Sequence, residues 1–132
     1  MTYSELVSLY FERSNALQWY WTLYVVVIGG LLAFASVRQR PDLVTTVLVS
    51  VLYGLFAWKN LGAIGDVTAQ RLVILEAIRH QPATGVLPGL EPTLIAPTYE
   101  SVRNFHLLSD VLTVAALWAM EIRRRRAATA RT

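Results

Sequence analysis

The sequence contains no cysteine, which removes disulfides, thiolate chemistry and cysteine-ligated zinc or iron–sulfur centres. Charge is scarce as well, at 16% of residues against 55% apolar, and it bunches between uncharged runs instead of spreading as it does on a water-soluble surface. A glycine-rich phosphate loop, a nucleophile elbow and an HExxH motif are all missing, so neither a catalytic role nor a cofactor is expected. There is no internal repeat and no low-complexity tract. The formal net charge of +3 does not form a basic face interleaved with aromatics, so nucleic acid is not an expected partner.

What is present is oil, in a mean hydropathy of +0.43. Leu17 to Val37 is an uncharged run of 21 residues, about 31 Å long as a helix and enough to cross a hydrocarbon core of about 30 Å. Trp19, Tyr20, Trp21 and Tyr24 crowd its first turns as an interfacial belt, and Arg38 and Arg40 anchor its far end. Ala33, Phe34 and Ala35 have the small-x-small form of a signal cleavage site. Glu5, Glu12 and Arg13, however, give a net negative start where a signal peptide is positive, so the run is expected to persist in the mature protein.

Leu43 to Ile64 is a second span, with Lys59 near its end. The connection RQRPD allows only a tight hairpin, so spans one and two should run antiparallel. Gly29, Gly30 and Gly54 are expected to let their backbones approach. A third span covers 105–122, with Trp118 in the belt before the anchoring arginines Arg123, Arg124, Arg125 and Arg126. Glu121 is expected to pair with Arg124 or Arg125.

Outside the spans, Gly62 and Gly65 loosen the chain and Asp66 can cap an amphipathic helix over 66–81. Its Val67, Ile74, Leu75 and Ile78 share one face, into which Arg71 intrudes. Residues 82–99 hold four of the five prolines together with Leu87, Leu90, Leu94 and Ile95. They read as an external loop that packs on its own helices or serves as a docking surface. Residues 2–13 suggest a short helix with a Thr2 and Glu5 capping box, and Thr98 can cap the last helix. The fold class expected is all-α, a single polytopic membrane domain of three transmembrane helices plus the external amphipathic helix and the proline-rich loop.

Three crossings put Arg38 and Arg40 on the same side as Arg123 to Arg126. The positive-inside rule makes that side cytoplasmic, leaving the N-terminus outside an inner membrane. Within the spans, Asp110 is costly in hydrocarbon, on the order of 3 kcal/mol, and needs a partner. Lys59 is one candidate, at a similar depth on the second span. The other reading sends Lys59 to the interface and leaves Asp110 protonated or accepting hydrogen bonds from Thr45, Thr46, Ser50 or Asn60. His106 stands one turn before Asp110, a spacing that suits a proton relay better than a metal, because no third ligand accompanies the pair. Three helices cannot enclose a hydrated pore alone. The functional expectation is therefore a small membrane protein that self-assembles and sets Lys59, Asp110 and His106 at helix contacts or along a narrow ion or proton path. The alternative is a non-catalytic accessory subunit of a larger membrane complex.

Overall fold

The computed structural model describes residues 1–81 and 89–130. Leu87 and the other residues at 82–88 in the proline-rich segment lie outside the described part. Three helices carry the fold: α1 (Tyr3–Val37), α2 (Leu43–Arg79) and α3 (Tyr99–Thr129). All three are long and apolar enough to cross a membrane, which supports a membrane protein. They form an up-down-up bundle, Leu17 packing with Ile64 and Val102 in one cluster while Tyr3 and Ile78 share another.

Local chemistry sets where the helices begin. The Thr2 amide donates to Glu5 Oε2 at 2.7 Å and the Glu5 amide to Thr2 Oγ1 at 3.3 Å, a complete capping box. The amide and hydroxyl of Thr2 hold the Glu5 carboxyl below its ordinary range. Asp42 caps α2 through the Thr45 amide and hydroxyl, which likewise keep its carboxyl low. Thr98 Oγ1 accepts from the Ser101 amide at the start of α3.

The separate amphipathic helix expected after Gly65 is instead the continuation of α2, and the short N-terminal helix is the first third of α1. The reason is a continuous seam. Thr46, Tyr53, Ala57, Asn60, Ile64, Val67, Arg71, Ile74 and Ile78 are buried, and from Tyr53 onward they are separated by alternating steps of four and three. That spacing is the seam of a coiled coil, and it passes straight through the two glycines. A helical glycine costs about 1 kcal/mol, whereas each large apolar side chain buried beyond it contributes about 1.5–3 kcal/mol. Burial wins, and Asp66 is an exposed mid-helix residue instead of a cap.

As a result α2 is about 55 Å long, about 25 Å more than a hydrocarbon core is thick. This surplus pairs with the start of α1 to make a stalk. Tyr3, Leu6 and Tyr10 of α1 bury against Ile74, Leu75 and Ile78 of α2, with Leu94 covering them. Arg71 ties the covering segment down: its Nη2 donates to the Tyr10 hydroxyl at 2.9 Å and to the Ile95 carbonyl at 3.2 Å, while the Tyr10 hydroxyl donates to that same carbonyl at 2.8 Å. The guanidinium also lies 5.0 Å from the Tyr10 ring centroid. We expect Arg71→Leu to cost about 1–2 kcal/mol, and to speed hydrogen exchange in residues 94–98 while the spans stay protected. Unchanged exchange there would show that the segment does not depend on this contact.

Candidate functional site

The inward-facing positions of the bundle bring polar side chains together at two levels. Nearer the stalk, α3 presents His106 and, one turn on, Asp110. His106 Nδ1 and Asp110 Oδ2 are 2.8 Å apart. The other carboxylate oxygen, Oδ1, accepts from the Tyr24 hydroxyl of α1 at 2.8 Å and the Tyr53 hydroxyl of α2 at 2.7 Å. The Asn60 amide nitrogen lies 3.3 Å from His106 Nε2. One proton arrangement satisfies the whole set: Asn60 donates to Nε2, a neutral imidazole donates from Nδ1, and the carboxylate accepts from three donors. His106 is 0% exposed, and its ring sits 4.1 Å from that of Tyr24 and 5.9 Å from that of Trp21.

Lys59 takes no part. The inward positions of α2 around it are Ala57, Asn60 and Ile64, and a residue one step before Asn60 is turned about 100° away. Lys59 is accordingly exposed beside Trp58 and makes no ion pair among the described residues. The expected polar donors are also engaged elsewhere. Thr45 holds Asp42, Thr46 meets Glu121, Ser50 donates to the Thr46 carbonyl, and Asn60 reaches His106 instead of the carboxylate. In a double-mutant cycle, Lys59→Met and Asp110→Leu should be additive to within about 0.5 kcal/mol. A larger coupling would place Lys59 back in the network.

Sequence reasoning missed Tyr24, which it assigned to the interfacial belt, and Tyr53, to which it gave no role. They are 2% and 4% exposed. The signal was register: Tyr10, Leu17 and Tyr24 repeat every seven residues on α1, and Tyr53 belongs to the α2 seam. Of the belt residues, Trp19 is 75% exposed, Trp21 turns partly inward onto Phe105 and His106, and Trp118 borders a groove between α2 and α3. Gly29, Gly30 and Gly54 do not mediate helix approach within the chain, since a Cβ on any of them would meet nothing within 4 Å.

The second level lies at the opposite end, where the arginines gather. Glu121, 1% exposed, accepts from Arg124 Nη2 at 3.3 Å and Arg125 Nε at 3.0 Å. The Thr46 hydroxyl donates to Oε2, the same oxygen that Arg124 contacts, at 3.2 Å. Arg124 Nη1 also donates to the Ala35 carbonyl at 2.7 Å, supplying a cation to the end of α1, whose own last turn has no basic residue. Arg38 reaches Thr46 Oγ1 and the Asp42 carbonyl. Arg40, Arg123 and Arg126 project outward.

Between the two levels the interior is closed. Thr113 and Leu117 are buried, and the Thr113 hydroxyl donates to the carbonyl of Ser109. A void of ≈ 10 Å³ beside Leu117 is at the lower limit for one water. Asp110 does reach the surface sideways. It borders an open groove of ≈ 810 Å³ between α2 and α3, whose walls include Gly54, Trp58, Leu107, Val111 and Trp118. Among the described residues no three His, Asp or Glu side chains are gathered as a metal would need. Comparison with protein families, with curated proteins and with solved structures finds no match for the chain.

Proposed function

We propose that this is a small integral membrane protein that self-assembles, with its stalk outside the cell and its arginine-rich end in the cytosol, and that Asp110 and His106 hold and pass a proton where copies meet. The observation that carries this reading is the position of Asp110: a carboxylate held by three donors inside the bundle that also borders the α2–α3 groove. A 2.8 Å contact between imidazole nitrogen and carboxylate oxygen is the geometry over which a proton moves. Leu117 and Thr113 block the interior of one bundle, so a path across the membrane runs between copies. Assembly is favoured by the groove itself and by the glycines that face outward, since small residues on a lipid-facing surface admit a neighbouring helix.

The orientation rests on the positive-inside rule, with Arg38 and Arg40 at the same end of the bundle as Arg123 to Arg126. The test has two readouts. Purified alone in mild detergent, the protein should run as one defined oligomer. In liposomes it should carry protons, and Asp110→Asn should abolish that flux. Flux that is absent, or equal in both proteins, ends the pathway reading.

A second reading, a non-catalytic subunit of a larger complex, has its own supporting observation. Ile95 is 73% exposed next to the buried Leu94, an apolar side chain offered on the stalk, away from the spans. A chain that is monomeric alone and becomes stable only with other membrane proteins favours this reading.

A further inference from the structure

At the arginine-rich end, where the last turns of α1 meet α3, an open cavity of ≈ 360 Å³ is lined by Ser36, Arg38, Met120, Arg123, Arg124 and Ala127. Two of its three guanidinium groups are fixed in place. Arg38 is held by Thr46 and Asp42, and Arg124 by the Ala35 carbonyl and Glu121. The Nε of Arg124 is buried without a hydrogen-bond partner, and Arg123 has neither a hydrogen bond nor an ion pair among the described residues. The charge does not balance locally: among the described residues Arg38, Arg124 and Arg125 share the two carboxylates of Asp42 and Glu121, and Arg123 has none. Ser36 turns its hydroxyl back to the Ala33 carbonyl at 2.8 Å, so the open donors are guanidinium ones.

Depth identifies the anion. Arg123 lies about 15 Å along α3 from Thr113, near the centre of the apolar run, which is the boundary of a hydrocarbon core about 30 Å thick. Lipid phosphates lie just beyond it, within reach of an arginine side chain. Guanidinium forks match phosphate oxygens in geometry and charge, and Met120, one turn deeper on α3, offers an apolar surface to the acyl region.

We propose that this cavity is a binding site for the phosphate of an anionic phospholipid in the leaflet at the arginine-rich end. A zwitterionic lipid is disfavoured because its ammonium would stand among arginines. The proposal rests on the three helices spanning the bilayer and is independent of self-assembly and proton movement.

The experiment is native mass spectrometry of the whole protein in mild detergent, titrated separately with phosphatidylglycerol, phosphatidylcholine and inorganic phosphate. Phosphatidylglycerol should be retained in preference to phosphatidylcholine. Arg123→Gln should weaken that retention about tenfold, Arg123→Lys should recover part of it, and Arg126→Gln, which removes the same charge outside the cavity, should leave it unchanged. Equal losses in Arg123→Gln and Arg126→Gln would overturn the site in favour of diffuse charge attraction. Competition by inorganic phosphate at lipid-like concentrations would overturn the lipid as its source. A protein that stays in micelles and shows no lipid preference disproves the site alone, whereas one that remains soluble without detergent disproves the membrane reading.

Discussion

Asp110→Leu is expected to destabilise the bundle by about 2–4 kcal/mol, measured by denaturation of the protein in mixed micelles. The substitution removes the acceptor from Tyr24, Tyr53 and His106 together. The hydroxyls of Tyr24 and Tyr53 have few substitutes in a dry interior, although that of Tyr24 retains the His106 carbonyl at 3.2 Å. Asp110→Asn should cost far less, about 1 kcal/mol. Its amide oxygen still serves the phenols, its nitrogen can donate to His106 Nδ1 once the imidazole takes its other tautomer, and Asn60 can turn its own oxygen to the proton now on Nε2. The same substitution thus preserves the fold while removing the group that can release a proton. A leucine variant as stable as the parent would show that the phenols do not depend on this carboxylate.

The second large effect is expected at Glu121. Glu121→Leu leaves Arg124, whose side chain is only 11% exposed, without its counter-ion, and stranding a buried charge costs about 3 kcal/mol or more. Arg125 loses the same partner but is 48% exposed and returns to water, so it adds little. Combining Glu121→Leu with Arg124→Leu should recover part of the loss by removing the stranded charge. Recovery stays incomplete because the Ala35 carbonyl at the end of α1 then has no cation. Additive losses in the double variant would mean that the two residues contribute separately.

The features legible in the sequence were those that depend on neighbours along the chain. Apolar length marked the spans, and Thr2 and Thr98 marked helix starts because a hydroxyl three residues before an open amide is a local device. The proximity of His106 and Asp110 followed from helical spacing alone. What failed depended on which face of a helix turns inward. Gly62 and Gly65 suggested a break because glycine is a poor helix former, yet the seam from Asn60 through Ile64 and Val67 to Arg71 outweighed them. Of the two readings open for Lys59, the pairing with Asp110 rested on matched depth, and depth says nothing about azimuth. Tyr24 reads as an interfacial ring because amphipathic side chains suit headgroups and buried carboxylates equally well, and only register separates the two uses.

Neither α1 nor α2 is interrupted where it leaves the apolar zone. Each is therefore one continuous helix from the stalk to the polar cluster. Tyr3 and Ile78 at the tip are thus joined by unbroken helix to Tyr24, Trp21 and Asn60, which contact His106. No loop separates the packing of the stalk from that buried imidazole.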